Sequence, residues 1–441
     1  MRRHLRNAGS QDGGVRGAVA RAVRVLILDV GPLRRRRDYR IVYVGGGISL
    51  FGSMITFVAL PYQVYRMTHS SLAVGLLGAA ELGPLIAGGL IGGVLADGCD
   101  RRRTAIGADA GMLVVSGWLA VAASGHHPPL ALLFVAAAIG SGLAGLRRPS
   151  VDAMVPTLVD RSELPAVSAL AGLQGTIAQI AGPAAGGLLI ATVGLAGAYA
   201  LDAATLVVSV LALIALTQRA RSATSPSPGR QGLNEGFSYL RARPDLVGTY
   251  VVDLNAMIFG MPTALFPALA VHLHGGAGAL GLLYAAPALG AMAVSVASGW
   301  VPRIHRHGLA ILWSAAGWGM AIIAFGLAPT LLPALVFLGV AGAADMVSGL
   351  FRMTVWNRTV PDEFRGRIAG VEMLSYTTGP ALGNVEAGAV ASIAGLSFSV
   401  VSGGALCVVG TAVIAWALPA LRRYDDRRTA PSSAVPDPAP L

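Results

Sequence analysis

The residues in this sequence with the most distinctive chemistry are carboxylates set inside long apolar runs. An ionisable side chain in such a run is costly if the run lies in a bilayer, and it marks a functional site by default. Asp253, Glu81 and Glu386 lead, in that order. An acid without a counter-ion in an apolar cavity can carry a proton, or it can attract a cationic substrate. Asp345 and Glu372 sit in similar runs, with Arg352 as the basic residue within reach. Asp202 reads as a helix-end hydrogen-bonding residue, and Asp109 as the partner of an arginine in the motif that follows.

That motif is GGVLADGCDRRR, Gly92–Arg103, directly after an apolar run. Gly93 lets helices pack closely because it has no side chain. Asp97 falls where the run ends and can accept hydrogen bonds from an arginine or from free N–H groups at a neighbouring helix start. Asp100 follows, then Arg101, Arg102 and Arg103, which at the least anchor this loop on one side of a membrane. A second stretch, GTIAQIAGPAAGG, spans Gly175–Gly187. Pro183 removes a backbone donor and bends a helix, while Gly182, Gly186 and Gly187 allow close approach.

Other chemistries lack support. His272 and His274 form a His-x-His pair with no third ligand, and His126 and His127 fall in a loop, so no metal site is expected. Cys99 and Cys407 have neither a ligand set nor a disulfide role. No P-loop, H-E-x-x-H or G-x-S-x-G is present, which leaves ATP drive and hydrolysis without a motif. We expect no cofactor and no catalytic residues.

The elements that must position these groups follow from composition. Of 441 residues, 54% are hydrophobic and 12% charged, about half the charge of an ordinary soluble domain. Mean hydropathy is +0.65. The net charge of +11 is carried by arginine clusters between apolar runs, which points to a polytopic membrane protein and away from nucleic acid. Windows of about 20 apolar residues fall at 41–64, 73–96, 104–124, 129–147, 165–190, 197–217, 246–269, 278–300, 308–328, 331–354, 367–391 and 396–419. In a bilayer these must be helices. An all-α protein with twelve spans is therefore expected. Counted from a cytoplasmic N-terminus, the outer loops hold only Arg66, so both termini are placed inside.

The linker-like SATSPSPGRQG divides the chain into six spans and six spans. Expected units are a basic tail over 1–39, a six-helix bundle over 40–217, a cytoplasmic loop over 218–245, a second bundle over 246–420 and a tail over 421–441. NEGFSYLRARPDL reads as a short amphipathic helix, and GAVARAVRVLILDVG as a flexible tail or an interfacial helix. The halves echo each other. GLLGAAEL from Gly75 matches GLLYAAPAL from Gly281, and AGPAAGG around Gly182 and Pro183 matches TGPALGN around Gly379 and Pro380. Two parallel six-helix repeats describe a secondary transporter working by alternating access.

Twelve spans, this repeat and G-x-L-A-D before an arginine run resemble the major facilitator superfamily. FVALPYQVYRMTHSSLAVGLLGAAEL (57–82), GGVLADGCDRRR and LFPALAVHLHGGAGALGLLYAAPALGA (265–291) resemble its bacterial enterobactin (siderophore) exporter and macrolide-efflux-like branch. The likeness covers roughly residues 40–420. It implies a cavity between the halves, built from spans one, two, four, five, seven, eight, ten and eleven. It also implies a gate in which the Asp97 cluster latches onto the start of span eleven near Arg365. Gly98 replaces the arginine usual after the aspartate, so the latch must lean on Arg101 and Arg102. Gly182–Pro183 resembles the superfamily's antiporter motif. Span four, LALLFVAAAIGSGLAG, lacks the arginine common in its drug–proton antiporters.

The resemblance implies a monomeric inner-membrane protein that exports a hydrophobic or amphiphilic small molecule, siderophore-like or drug-like, by proton-coupled antiport. Macrolide or multidrug efflux is the near alternative, and uptake uses the same fold. A lipid scramblase or membrane enzyme is the alternative from another class.

Overall fold

The computed structural model describes residues 29–125, 128–217, 238–425 and 427, leaving aside the side chains at positions 97, 362, 363, 366, 367 and 369. After a short turn of helix at Gly31–Arg35 come α1 (Arg37–Thr68), α2 (Ser71–Gly98), α3 (Arg101–Ser124) and α4 (Leu130–Met154). A 51-residue helical stretch, Leu164–Ile214, follows and is broken at Gly194. Its arms are α5 (164–193) and α6 (195–214). The second half comprises α7 (Pro244–Phe259), α8 (Phe266–His272), α9 (Gly276–Val296), α10 (His307–Gly326), α11 (Leu331–Thr359), α12 (Asp362–Ala394) and α13 (Leu396–Ala417).

Among the described residues, ten helices are long and apolar enough to cross a membrane, with Leu164–Ile214 falling within one of them. Large apolar side chains such as Val121, Val296, Trp313, Ile393 and Trp416 stay more than 70% exposed. Such a surface needs lipid rather than water around it. The chain is a multi-pass membrane protein.

Local chemistry sets most helix ends. Ser70 caps α2 by accepting from the Ala73 N–H at 3.2 Å. Gly395, at φ 94°, makes the tight joint between α12 and α13. Gly194 has φ 77° and ψ 179°, a conformation open in practice only to glycine. A straight 51-residue helix would run about 77 Å, far more than a bilayer core of about 30 Å. The chain instead doubles back at Gly194, so that α1 packs on both arms. Gly182 of α5 abuts Met54, and Gly52 of α1 abuts Thr205 of α6.

The window at 246–269 is not one helix, which corrects the expected seventh span. Gly260 closes α7, Pro262 cannot donate to a continuing helix, and the chain restarts as a 3-10 turn at Thr263–Leu265 before α8. The freed backbone is satisfied by side chains, as a break at membrane depth requires. Trp318 Nε1 donates to the Gly260 carbonyl at 2.8 Å, and Asn384 Oδ1 accepts from the Ala264 N–H at 2.9 Å. Smaller corrections concern ends. α4 runs seven residues past its window, through Arg147 to Met154, and α9 stops at Val296 before a 3-10 stretch. From 238 onward, the stretch read as a short surface helix packs on the second half, with Leu240 buried and Tyr239 stacked on Phe364 at 4.6 Å.

The sequence repeat reappears as two seams between the halves. Gly75 of α2 lies against the Asn384 backbone of α12, and Gly281 of α9 lies against Pro183 and Gly187 of α5. The Gly-Pro motifs match too, with Gly182 on Met54 of α1 and Gly379 on Met257 of α7. A Cβ at Gly281 would strike backbone that cannot rotate away. Gly281→Val is therefore expected to cost about 1–3 kcal/mol, seen as a lower unfolding midpoint of the detergent-solubilised protein. An unchanged midpoint would show that the seam parts without loss.

The buried core is not symmetric along the bundle axis. At one end, one cluster joins both halves, including Ile55, Leu77 and Tyr199 with Phe266, Leu283 and Phe325. At the other, which holds Tyr39 and Tyr424, there are two clusters. Tyr39, Met154 and Leu213 belong to one half, and Leu246, Phe351 and Ile414 to the other. The halves are thus sealed together at one end and separately packed at the other.

Candidate functional site

A cavity of about 290 Å³ lies beneath the shared core. Residues of α1, α2, α3, α4 and α6 line it, with Thr263 and Ala264 from the α7–α8 break, Tyr284 of α9 and Asn384 of α12. This corrects the expected lining. The third and sixth spans contribute, while α5 and α11 do not appear in the wall.

Two acids face the space. Glu81, from the middle of α2, lines it with no ion pair to its carboxylate among the described residues, and only its backbone carbonyl is engaged, by the Ser141 hydroxyl at 3.0 Å. Asp202 is not a helix-end residue, as its sequence position suggested. It is 3% exposed in the interior, where Thr56 Oγ1 and Ser116 Oγ both donate to Oδ2 at 2.7 Å. Its Oδ1 is buried without a hydrogen-bond partner. Among the described residues no arginine or histidine lines this cavity. The apolar wall includes Phe57 and Tyr284, whose rings meet edge to face at 5.2 Å, and the methionines Met54 and Met112.

Asp253 lies elsewhere and is not unpaired, which corrects the leading sequence candidate. It forms an ion pair with Arg352 of α11, deep in the second half, and Asp345 stands 3.7 Å from the same guanidinium. Glu372, Tyr250 and Tyr376 line the small cavity around this pair. The pairing offsets the cost of burying this carboxylate. Glu386 is half-buried on α12, lines neither of these cavities and makes no ion pair among the described residues. The three proton-coupling candidates therefore occupy three separate places.

The first half has its own buried pair. Asp109, fully buried, accepts from Arg147 Nε and from Ser209 Oγ at 2.6 Å. Two expectations change here. Asp109 pairs with an arginine of α4 rather than with the motif arginines, and α4 does carry an arginine within its helix, at position 147.

In GGVLADGCDRRR the structure assigns the charges local tasks. Asp100 is the N-cap of α3, accepting from the Arg102 and Arg103 N–H groups at 3.0 and 3.4 Å. Arg101, 4% exposed, donates to the Ala96 and Ala153 carbonyls at 2.9 Å each. Arg102 donates to the Leu216 carbonyl at 3.0 Å and to that of Ile214. Cations at helix C-termini meet the negative end of the dipole and satisfy leftover carbonyls. These bonds tie α2, α4 and α6 of one half together, so Arg101 and Arg102 staple that half. Gly92 is the buried glycine of the pair, against Leu146, while Gly93 is half-exposed. The Asp97 side chain lies outside the described residues.

In the span-five motif, Gly182 and Gly186 face α1, and Gly187 faces Ala277 and Gly281 across the seam. His272 and His274 are exposed, and His126 and His127 lie outside the described residues. No group of three His, Cys, Asp or Glu side chains gathers among the described residues.

Sequence reading missed the helix break and the residues that serve it. Gly-Met-Pro at 260–262 inside an apolar run was the available signal. So was Asn384, a polar residue standing where the first copy of the repeat has Gly187.

Comparison with known proteins converges on one family. The family described as "Transmembrane secretion effector" matches residues 29–440. The enterobactin exporter EntS of Citrobacter koseri is 30% identical over 416 residues, covering 94% of this chain and 99% of that protein. The enterobactin exporter EntS of Shigella boydii serotype 18 is 30% identical over 412 residues, covering 93% and 98%. The fold resembles a POT family transporter in complex with 5-aminolevulinic acid, with a TM-score of 0.69, 11% identity, and coverage of 88% and 97%. It also resembles an inward-facing bacterial homologue of the iron transporter ferroportin, with a TM-score of 0.66, 13% identity, and coverage of 86% and 98%.

Proposed function

Since this chain belongs to the transmembrane secretion effector family, we propose that it is a twelve-span exporter of a hydrophobic or amphiphilic small molecule, driven by proton antiport across the inner membrane. The twelve spans are α1 to α6, the α7–α8 pair taken as one, and α9 to α13. The two bundles lie over 40–217 and 246–420, joined by a cytoplasmic loop over 218–245, with cytoplasmic tails over 1–39 and 421–441. The protein acts as a monomer, without a cofactor and without covalent chemistry on its substrate.

The observation that carries this reading is the cavity of the first half, bordered by the α7–α8 break, Tyr284 and Asn384 of the second and with Glu81 in its wall. It is closed by a shared core at one end and flanked by separate cores at the end rich in arginine. Arginine-rich loops stay in the cytoplasm, and separate cores at that end support a state open to the cell interior, ready to load an export substrate. Glu81 is the leading proton carrier because it meets the cavity without a counter-ion. Asp253 and Glu386 stand behind it, the first tied to Arg352 and the second away from the cavity. Asp97 would close the cytoplasmic side against the start of α12, and the Gly182–Pro183 and Gly186–Gly187 stretch would carry the rocking seam.

Similarity to enterobactin exporters supports a siderophore-like substrate. The cavity, acid-lined and without arginine among the described residues, favours a drug-like one. Inverted membrane vesicles carrying the protein should take up the exported molecule when energised and lose it on adding a protonophore. Enterobactin and a macrolide are the two substrates to compare. Uptake that survives the protonophore would overturn proton antiport.

A further inference from the structure

We infer that this cavity, set in the first half and closed on one side by Thr263, Ala264, Tyr284 and Asn384 of the second, takes an organic cation, an apolar body bearing one or two positive charges. This rests on the export reading above and names the substrate class of that same site. Among the described residues, the charged side chains in the wall are Glu81 and Asp202, both acidic. The buried arginines of the two bundles are committed elsewhere, Arg147 to Asp109 and Arg352 to Asp253 and Asp345. An anionic ligand would be desolvated beside two acids with no base to meet it, and such a like-charge arrangement is strongly unfavourable in a low-dielectric space.

The detail around Asp202 points the same way. Its Oδ2 already accepts two hydroxyl donors, while its Oδ1 is buried and has no donor. A buried acceptor left without a donor is uncommon in a finished structure. That oxygen packs beside Gly52 of α1 and is closed off from the cavity, so Asp202 acts on a ligand through its charge and not through a direct bond from Oδ1. Glu81 offers a second carboxylate to the same space. Phe57 and Tyr284 also line the cavity, and aromatic rings attract cations as well as pack apolar surface. A volume of about 290 Å³ suits a small drug-sized molecule. The inference therefore differs from what similarity to enterobactin exporters would suggest.

Two probes of nearly equal shape and opposite charge test it. Purified full-length protein in detergent is titrated with radiolabelled tetraphenylphosphonium, and unlabelled tetraphenylphosphonium or tetraphenylborate is used to displace it. The expected result is saturable binding, displaced by the cation and not by the anion. Glu81→Gln should weaken it on the order of tenfold to a hundredfold. Asp202→Asn should do the same if it folds, and the probe pair on the unaltered protein gives an answer even if it does not. Equal displacement by tetraphenylborate, or unchanged binding in Glu81→Gln, would overturn the inference. Tetraphenylphosphonium binding with no energised uptake would uphold the site and refute the export reading. Protonophore-sensitive uptake of enterobactin with no tetraphenylphosphonium binding would do the reverse.

Discussion

Glu81→Gln should abolish uphill export while leaving a folded protein that still exchanges substrate down its gradient. Glu81 is part-buried in the cavity wall, and its carboxylate has no ion pair among the described residues. Glutamine keeps its size and most of its packing, so little stability is at stake. What glutamine cannot do is gain and lose a proton. If one carboxylate alternately holds a proton and the substrate, coupling should fail while alternating access continues. Energised uptake into inverted vesicles is expected to fall by at least about tenfold, with counterflow in the absence of a proton gradient retained once substrate is raised to offset its weaker binding. Loss of both activities would make Glu81 a binding or folding residue only. Retention of protonophore-sensitive uptake would move proton coupling to another acid, with Asp253 next in line.

Arg352→Leu is expected to have the largest effect on stability. The guanidinium is 12% exposed and pairs with Asp253, whose side chain is 8% exposed, while Asp345 approaches from a more open position at 58% exposure. Removing the arginine leaves a buried acid without a partner, which costs about 3–5 kcal/mol. The sign reverses when both members are replaced together, because well-packed apolar residues avoid desolvating two charges. The single variant should therefore lose yield and unfold earlier in a thermal melt of the solubilised protein. Arg352→Leu combined with Asp253→Leu should recover most of the loss. A single variant as stable as the parent would show that water reaches this pair and screens it.

Much of the architecture was legible because it depends on local, one-dimensional facts. A run of about 20 apolar residues can only be a helix in a bilayer, and ten helices among the described residues are long and apolar enough to cross one. The repeat was readable for a related reason. Gly75 and Gly281 recur because both seams between halves need backbone contact, and the two Gly-Pro motifs recur because each sits on the first helix of its own half. Even the break at 260–262 left a trace, in a glycine and a proline two residues apart.

The site was less legible, and the reason lies in separation along the chain. The sequence alone established a greasy, helical, two-part chain with its arginines on one side and a short set of acids worth testing. It could not say which acids stand alone. Asp253 and Arg352 are far apart in sequence and meet only because α7 packs near α11, and Asp109 finds Arg147 across the α3–α4 contact. The tertiary structure decided those partners. It also turned Arg101 and Arg102 of GGVLADGCDRRR into caps for carbonyls on three helices, and brought Asp202 from an apparent helix end to the cavity wall. Hydropathy is a property of each stretch of chain by itself. The cost of a buried charge depends on its neighbours, and folding alone supplies those.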